Sequence, residues 1–95
     1  MKQDIFELYL RAVARHHRMT EEEVLAQSKR TDLVAARHLL YYLCHERGIG
    51  YADLKRYLLA RGYTVKYPSI RHGIHSVKQA LDNDPDYYSI VNKLK

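Results

Sequence analysis

Ninety-five residues carrying a net charge of +5 (histidines neutral), nine Tyr, one Phe, no Trp and one Cys point to a single small domain, residues 1–95, with a modest core. A lone Cys44 excludes an internal disulfide and suits a reducing cytoplasm, no apolar run approaches the ~20 residues of a membrane span, and the amphipathic start MKQDIFELYL is no signal sequence. No Gly-rich phosphate loop or nucleophile–base spacing is present, which argues against an enzyme, and the positive excess biases partners toward polyanions.

The predicted elements follow in order. Ile5, Leu8, Tyr9, Ala12 and Val13 recur at three- and four-residue spacing and predict a helix from about Asp4 to His16. Thr20-Glu21-Glu22-Glu23 is a capping box opening a short helix through Val24 and Leu25, with Met19 packed beneath as a staple. Gln27-Ser28-Lys29-Arg30 is a polar basic loop. Thr31 or Asp32 then caps the longest helix, to Glu46, stopped by Gly48, with Leu33, Ala36, Leu40, Leu43 and Cys44 inward, Tyr41 near an edge and Arg37 off the buried face. Tyr51 to Ala60 repeats the pattern with Leu54, Tyr57 and Leu58 inward, and Gly62 stops it. A connector from Tyr63 to Tyr67 leads to Pro68, which opens the next helix. Asn83 or Asp84 caps a last helix whose apolar side is Tyr87, Ile90, Val91 and Leu94. The expectation is all-α: a compact bundle of six helices with one core.

Charge is unevenly placed. Residues 1–48 hold eight basic and seven acidic side chains; residues 49–95 hold eight and four, and three of those acids (Asp82, Asp84, Asp86) sit together near the end. Lys55 to Gln79 contains six Lys or Arg and no Asp or Glu. On a wheel at ~100° per residue, the Pro68 helix sets Ile70, Ile74, Val77 and Leu81 on one side, with Gly73 and Ala80 at its margin. His72, His75, Ser76 and Gln79 lie opposite, flanked by Ser69, Arg71 and Lys78. A helix anchored by an apolar stripe, with an outer face that is basic and rich in hydrogen-bonding groups, suits the major groove of double-stranded DNA.

Three blocks together resemble the C-terminal DNA-binding domain of DnaA-type bacterial replication initiators. Leu25 to Arg30, LAQSKR, is similar to that family's basic loop; Ala36 to Leu43, ARHLLYYL, to its AR-x4-YL signature; and Pro68 to Val77 falls where its recognition helix lies. The resemblance implies a Trp-repressor-like helix-turn-helix within the bundle. It implies Lys29 and Arg30 at the minor groove, Arg37 on the DNA backbone, and Ser69 and His72 on the recognition helix. Where the family has Asp-His-Thr-Thr-Val, this chain has Lys66-Tyr67-Pro68-Ser69-Ile70, after a longer connector, so the family's target sequence does not carry over. No ATPase module precedes the domain in this sequence, so a free-standing regulator of replication or transcription is expected, phage-borne or accessory, nucleoid-associated in the cytoplasm.

The candidate base readers are therefore Ser69, Arg71, His72, His75 and Gln79, the earlier ones ranking first because such helices read mainly from their start. Gln pairs bidentately with adenine and Arg with guanine. Lys29 and Arg30 are either a solvated loop or a minor-groove anchor; Arg37 either pairs with a carboxylate or touches phosphate. Lys55, Arg56, Lys66 and Lys78 are candidate phosphate contacts, and Tyr67 either caps the core or meets sugar and phosphate. Six histidines raise a metal site, but His72 and His75, or His38, Cys44 and His45, lack the spacing of a four-ligand zinc centre, so neither metal nor cofactor is expected. The competing function is a protein-interaction module on a DNA-binding fold, serving a replication or transcription protein through Tyr41, Tyr87 and Tyr88. Those tyrosines also suit a homodimer contact, and the chain is expected as a monomer or weak homodimer.

Overall fold

Six helices and no strand make up the chain in a computed structural model that describes Met1–Lys95: α1 (Lys2–His16), α2 (Glu21–Val24), α3 (Thr31–Glu46), α4 (Tyr51–Ala60), α5 (Tyr67–Asn83) and α6 (Pro85–Leu94). The radius of gyration, 12.1 Å, matches the ~12 Å expected of one compact body of this length. None of the helices is long and apolar enough to cross a membrane.

Local chemistry sets the ends of these helices. The Thr20 hydroxyl accepts from the Glu23 amide at 3.0 Å while the Thr20 amide donates to the Glu23 carboxylate at 2.9 Å, so the capping box forms as predicted. Such a cap contributes about 1 kcal/mol. Asp84 caps α6 through the amides of Asp86 and Tyr87. Gly48 and Gly62 both adopt positive φ (82° and 85°), letting the Ile49 amide reach back to the Cys44 carbonyl and the Tyr63 amide to the Leu58 carbonyl, each at 3.0 Å. These left-handed turns close α3 and α4 with their last carbonyls satisfied. Two expected starts differ slightly. Arg30, not Thr31 or Asp32, occupies the N-cap of α3, and Lys66 that of α5, with Pro68 one place further in.

The core is a single cluster of 23 buried residues centred on α3. Phe6, Tyr9, Leu10, Val13 and Ala14 form the buried stripe of α1. Of the expected stripe, Tyr9 and Val13 are buried and Ile5 packs partly buried against the core, whereas Leu8 is 54% exposed and Ala12 half-buried. The spacing 6, 9, 10, 13, 14 satisfies the helical period as well as the expected one does, and only Phe6 breaks the tie. On α3, Leu33, Ala36, Leu40, Leu43 and Cys44 are buried as expected, but so are Leu39, Tyr41, Tyr42 and Arg37. This helix packs against α1, α2, α4 and α5, so almost no side of it faces water. Tyr41 accordingly sits at 2% exposure rather than at an edge, and its hydroxyl pKa is pushed up by burial.

Helices α3 and α5 cross closely at Gly73. A Cβ there would lie 2.7 Å from His38 Cδ2 and 2.9 Å from Tyr41 Cδ2, so only the missing side chain lets the two helices meet. Gly73, expected at the margin of the apolar stripe, is buried in it. A second tie fixes the far end of α4: Arg61 pairs with Glu7 of α1 and, at 3.1 Å, with Glu21 of α2. With all three side chains about a third exposed, the pairs are worth on the order of 1 kcal/mol.

Candidate functional site

The outer side of α5 is its polar face. Ser69, Arg71, His72, His75, Lys78 and Gln79 are all exposed, while Ile70, Gly73, Ile74 and Val77 hold the helix to the core. Ser76 differs from the expectation: it is half-buried and turned toward Ala35 and His38 of α3. No ion pair in the chain involves Lys29, Lys55, Lys66, Arg71 or Lys78. No side chain caps the first turn of α5 and no acid lies in it, so the positive end of the helix dipole is uncovered. Asp82 does fall on the outer side, in the last turn. From Arg71 it is eleven residues along the axis, ~16 Å at the helical rise and beyond the ~8 Å screening length of physiological salt, whereas Lys78 is one turn away, ~6 Å, and is partly offset by it.

The 25–30 loop lies against the start of this helix. Gln27, Ser28, Lys29, Ser69, His72 and Tyr63 border one concavity of about 490 Å³ between the loop, α3 and α5. Two anchors hold the loop there. Arg37, 4% exposed, donates through Nη1 to the carbonyls of Val24 (3.0 Å) and Ala26 (2.9 Å) and through Nη2 to that of Ser28, with its guanidinium 5.0 Å from the Tyr63 ring centroid. Gln27 Oε1 accepts from the Thr64 amide at 2.8 Å, joining the loop to the α4–α5 connector.

Arg37 therefore corrects the expectation. It is not a cation off the buried face: its side chain is buried, three of its five N–H donors go to main-chain carbonyls, and it organises the loop that carries Lys29. Arg30 is also engaged, its Nε 2.7 Å and Nη2 3.1 Å from the two Asp32 oxygens. The guanidinium holds the Asp32 carboxyl below the usual carboxylate range. Arg56 pairs with Asp53 at 2.9 Å and borders the α1 side of α4 with Met1 and Lys2, so it is not gathered with the α5 cations. Lys55 does join them: its Nζ stands 4.7 Å from the ring centroid of Tyr67, which is 43% exposed at the start of α5.

Periodicity alone did not find three residues of this region. Gln27 reads as loop filler, Gly73 as a marginal helix residue, and His38 as one histidine among six. His38 lies edge to face with His72, centroids 5.6 Å apart, and packs where Gly73 leaves room. Burial first, then His72 and Arg37, depress its pKa below the ordinary 6.5. A signal for Gly73 existed, since a glycine inside a strongly helical pattern commonly marks a close approach. Of the expected tyrosine surface, Tyr41 is buried, Tyr87 half-buried, and only Tyr88 stands 56% exposed. No group of three or more His, Cys, Asp or Glu side chains is placed to hold a metal ion. No protein-family model matches the chain, and no solved structure matches it.

Proposed function

We propose that this chain is a sequence-specific double-stranded DNA-binding module, in which α4, the connector and α5 serve as a helix-turn-helix and the first turns of α5 enter the major groove. The observation that carries the proposal is the outer side of α5 from Ser69 to Gln79: exposed, free of carboxylates and ion pairs, with the Lys29 loop bordering the same concavity as Ser69 and His72. Uncompensated cations gathered on one face are costly to leave facing one another and favourable beside a phosphate backbone. Arg71 and the imidazoles supply the donors and acceptors that base edges require. Lys29, Lys55, Lys66 and Lys78 neutralise phosphates. The resemblance of LAQSKR and ARHLLYYL to the DnaA C-terminal domain supports a place in the control of replication initiation or transcription. The role of Arg37 here is to shape the loop rather than to touch DNA.

The test is selection of duplexes from a random pool, followed by salt titration of the selected site. Each neutralised phosphate steepens the log–log salt dependence by about 0.9, so Lys78→Ala lowers the slope by about that amount and weakens all duplexes alike. Arg71→Ala weakens the selected site by about 1–3 kcal/mol and relaxes one base position. A flat salt dependence, with no sequence recovered, removes the proposal. It would favour the second reading, a protein-interaction module for a replication or transcription protein, which draws on a specific observation: Arg30 and Arg37, two cations of the matched blocks, are engaged within the fold.

A further inference from the structure

A second basic surface lies outside this face, and its form is different. The last turns of α1 and α6 meet around a groove of about 320 Å³ lined by Ala12, Arg15, His16, Ile90, Lys93 and Leu94. Its floor is aliphatic, with Ala12, Ile90 and Leu94 half-buried; its rim is cationic, with Arg15, His16 and Lys93 exposed. Leu8, one turn earlier on the same side of α1 as Ala12, is 54% exposed and prolongs the apolar strip. No carboxylate lines the groove. The acids of α1 (Asp4, Glu7) and of α6 (Asp86) lie toward the opposite ends of those helices, and Glu7 is engaged by Arg61.

Cations at helix C-termini ordinarily offset the dipole, so the charge must be weighed against it. Two converging C-termini bring about −0.5 each. Arg15 and Lys93 alone contribute +2, neither in an ion pair, which leaves the rim positive with His16 counted as neutral. The dipoles therefore account for half of the charge and for none of the exposed aliphatic floor. A phosphate backbone would use the rim but has nothing to place on the floor.

We infer that the α1–α6 groove docks an acidic amphipathic helix of a protein partner, its aliphatic side chains on Ala12, Ile90 and Leu94 and its carboxylates against Arg15 and Lys93. This is the helix-in-groove mode, in which apolar anchors at three- and four-residue spacing supply affinity and flanking charge sets orientation. The groove is separate from the α5 face, so the inference stands whether or not α5 reads DNA.

The probe is a fluorescent 16-residue peptide with Leu at alternating three- and four-residue spacing and Glu elsewhere, followed by anisotropy with the intact chain. Its controls are a scrambled peptide of the same composition and the same helix with Lys in place of Glu. The expected result is binding of the acidic helix alone, weakened at least tenfold by the double variant Arg15→Glu, Lys93→Glu and unchanged by Arg71→Glu. Both rim residues are exposed, and circular dichroism of the double variant verifies that it folds. Absence of binding, equal binding of the scrambled peptide, indifference to the double variant, or displacement by duplex DNA from wild type and Arg71→Glu alike would each overturn the inference, the last by making the groove a nucleic-acid site.

Discussion

Replacing Arg37 with Ala separates an architectural cation from a DNA contact. Three carbonyls lose their donor. The bond to Val24 is buried and those to Ala26 and Ser28 are partly so, which means water can re-solvate two of the three. An unsatisfied buried carbonyl costs about 1–3 kcal/mol. Loss of the guanidinium above Tyr63 and of its packed stem adds about 1 kcal/mol more. Relief from burying a cation returns part of this. The net expectation is a loss of about 1–3 kcal/mol, which for a domain of this size lowers Tm by roughly 5–20 °C. Thermal unfolding followed by circular dichroism measures it, and hydrogen exchange should show faster opening confined first to residues 24–30. Arg37→Lys retains the charge but not the three-way fork, so it should recover less than half of the loss. A Tm within about 2 °C of wild type for Arg37→Ala would refute the structural role and return Arg37 to the surface.

Gly73→Ala gains about 1 kcal/mol of helix propensity but forces a methyl against His38 and the buried Tyr41, for which about 1–3 kcal/mol of overpacking is typical; the expected outcome is a net fall in denaturation midpoint, and a rise would contradict the close crossing. His38 and His17 both have pKa values depressed mainly by burial, His38 also by His72 and Arg37 and His17 also by His16. Below their ordinary 6.5 the unfolded chain takes up protons that the folded chain refuses, so stability is fully present above that pH and falls as pH drops beneath it. Comparison of Tm near pH 7.5 and pH 5.5 should show this fall, reduced in His38→Gln; an identical fall in the variant would exclude His38 as a source. Burial pushes the Cys44 thiol up to about 12, so a thiol reagent at pH 8 should label it only at the rate of opening, accelerating with denaturant.

Punctuation in the sequence was easier to read than the orientation of its helices. Gly48, Gly62, Pro68, Pro85 and the Thr20 box each impose a local backbone requirement, and the helices of the structure start or stop within a residue or two of them. Which side of a helix is buried depends on how many neighbours it has, and that is a tertiary fact. The continuous apolar run Leu39 to Cys44 carried the hint that the second half of α3 is enclosed, since a helix apolar all round is a central one. With α3 central, the Arg37 side of the helix lies under the 25–30 loop, which leaves that residue 4% exposed. The polar side of α5 was legible because only one side of that helix meets the core. The partnering of Arg30, Arg56 and Arg61 was not, because it joins residues that sequence distance or loop geometry leaves undetermined.

Along α5 and into α6 the sign of the charge reverses, from Lys66, Arg71 and Lys78 to Asp82, Asp84 and Asp86. An object with opposite poles is turned by an external field as well as drawn by it. In the DNA reading, a duplex at a distance would exert a torque that swings the start of α5 inward and the Asp82 end outward. Orientation would then be settled in the encounter, so the polarity of this axis would register in how fast complexes form more than in how long they last.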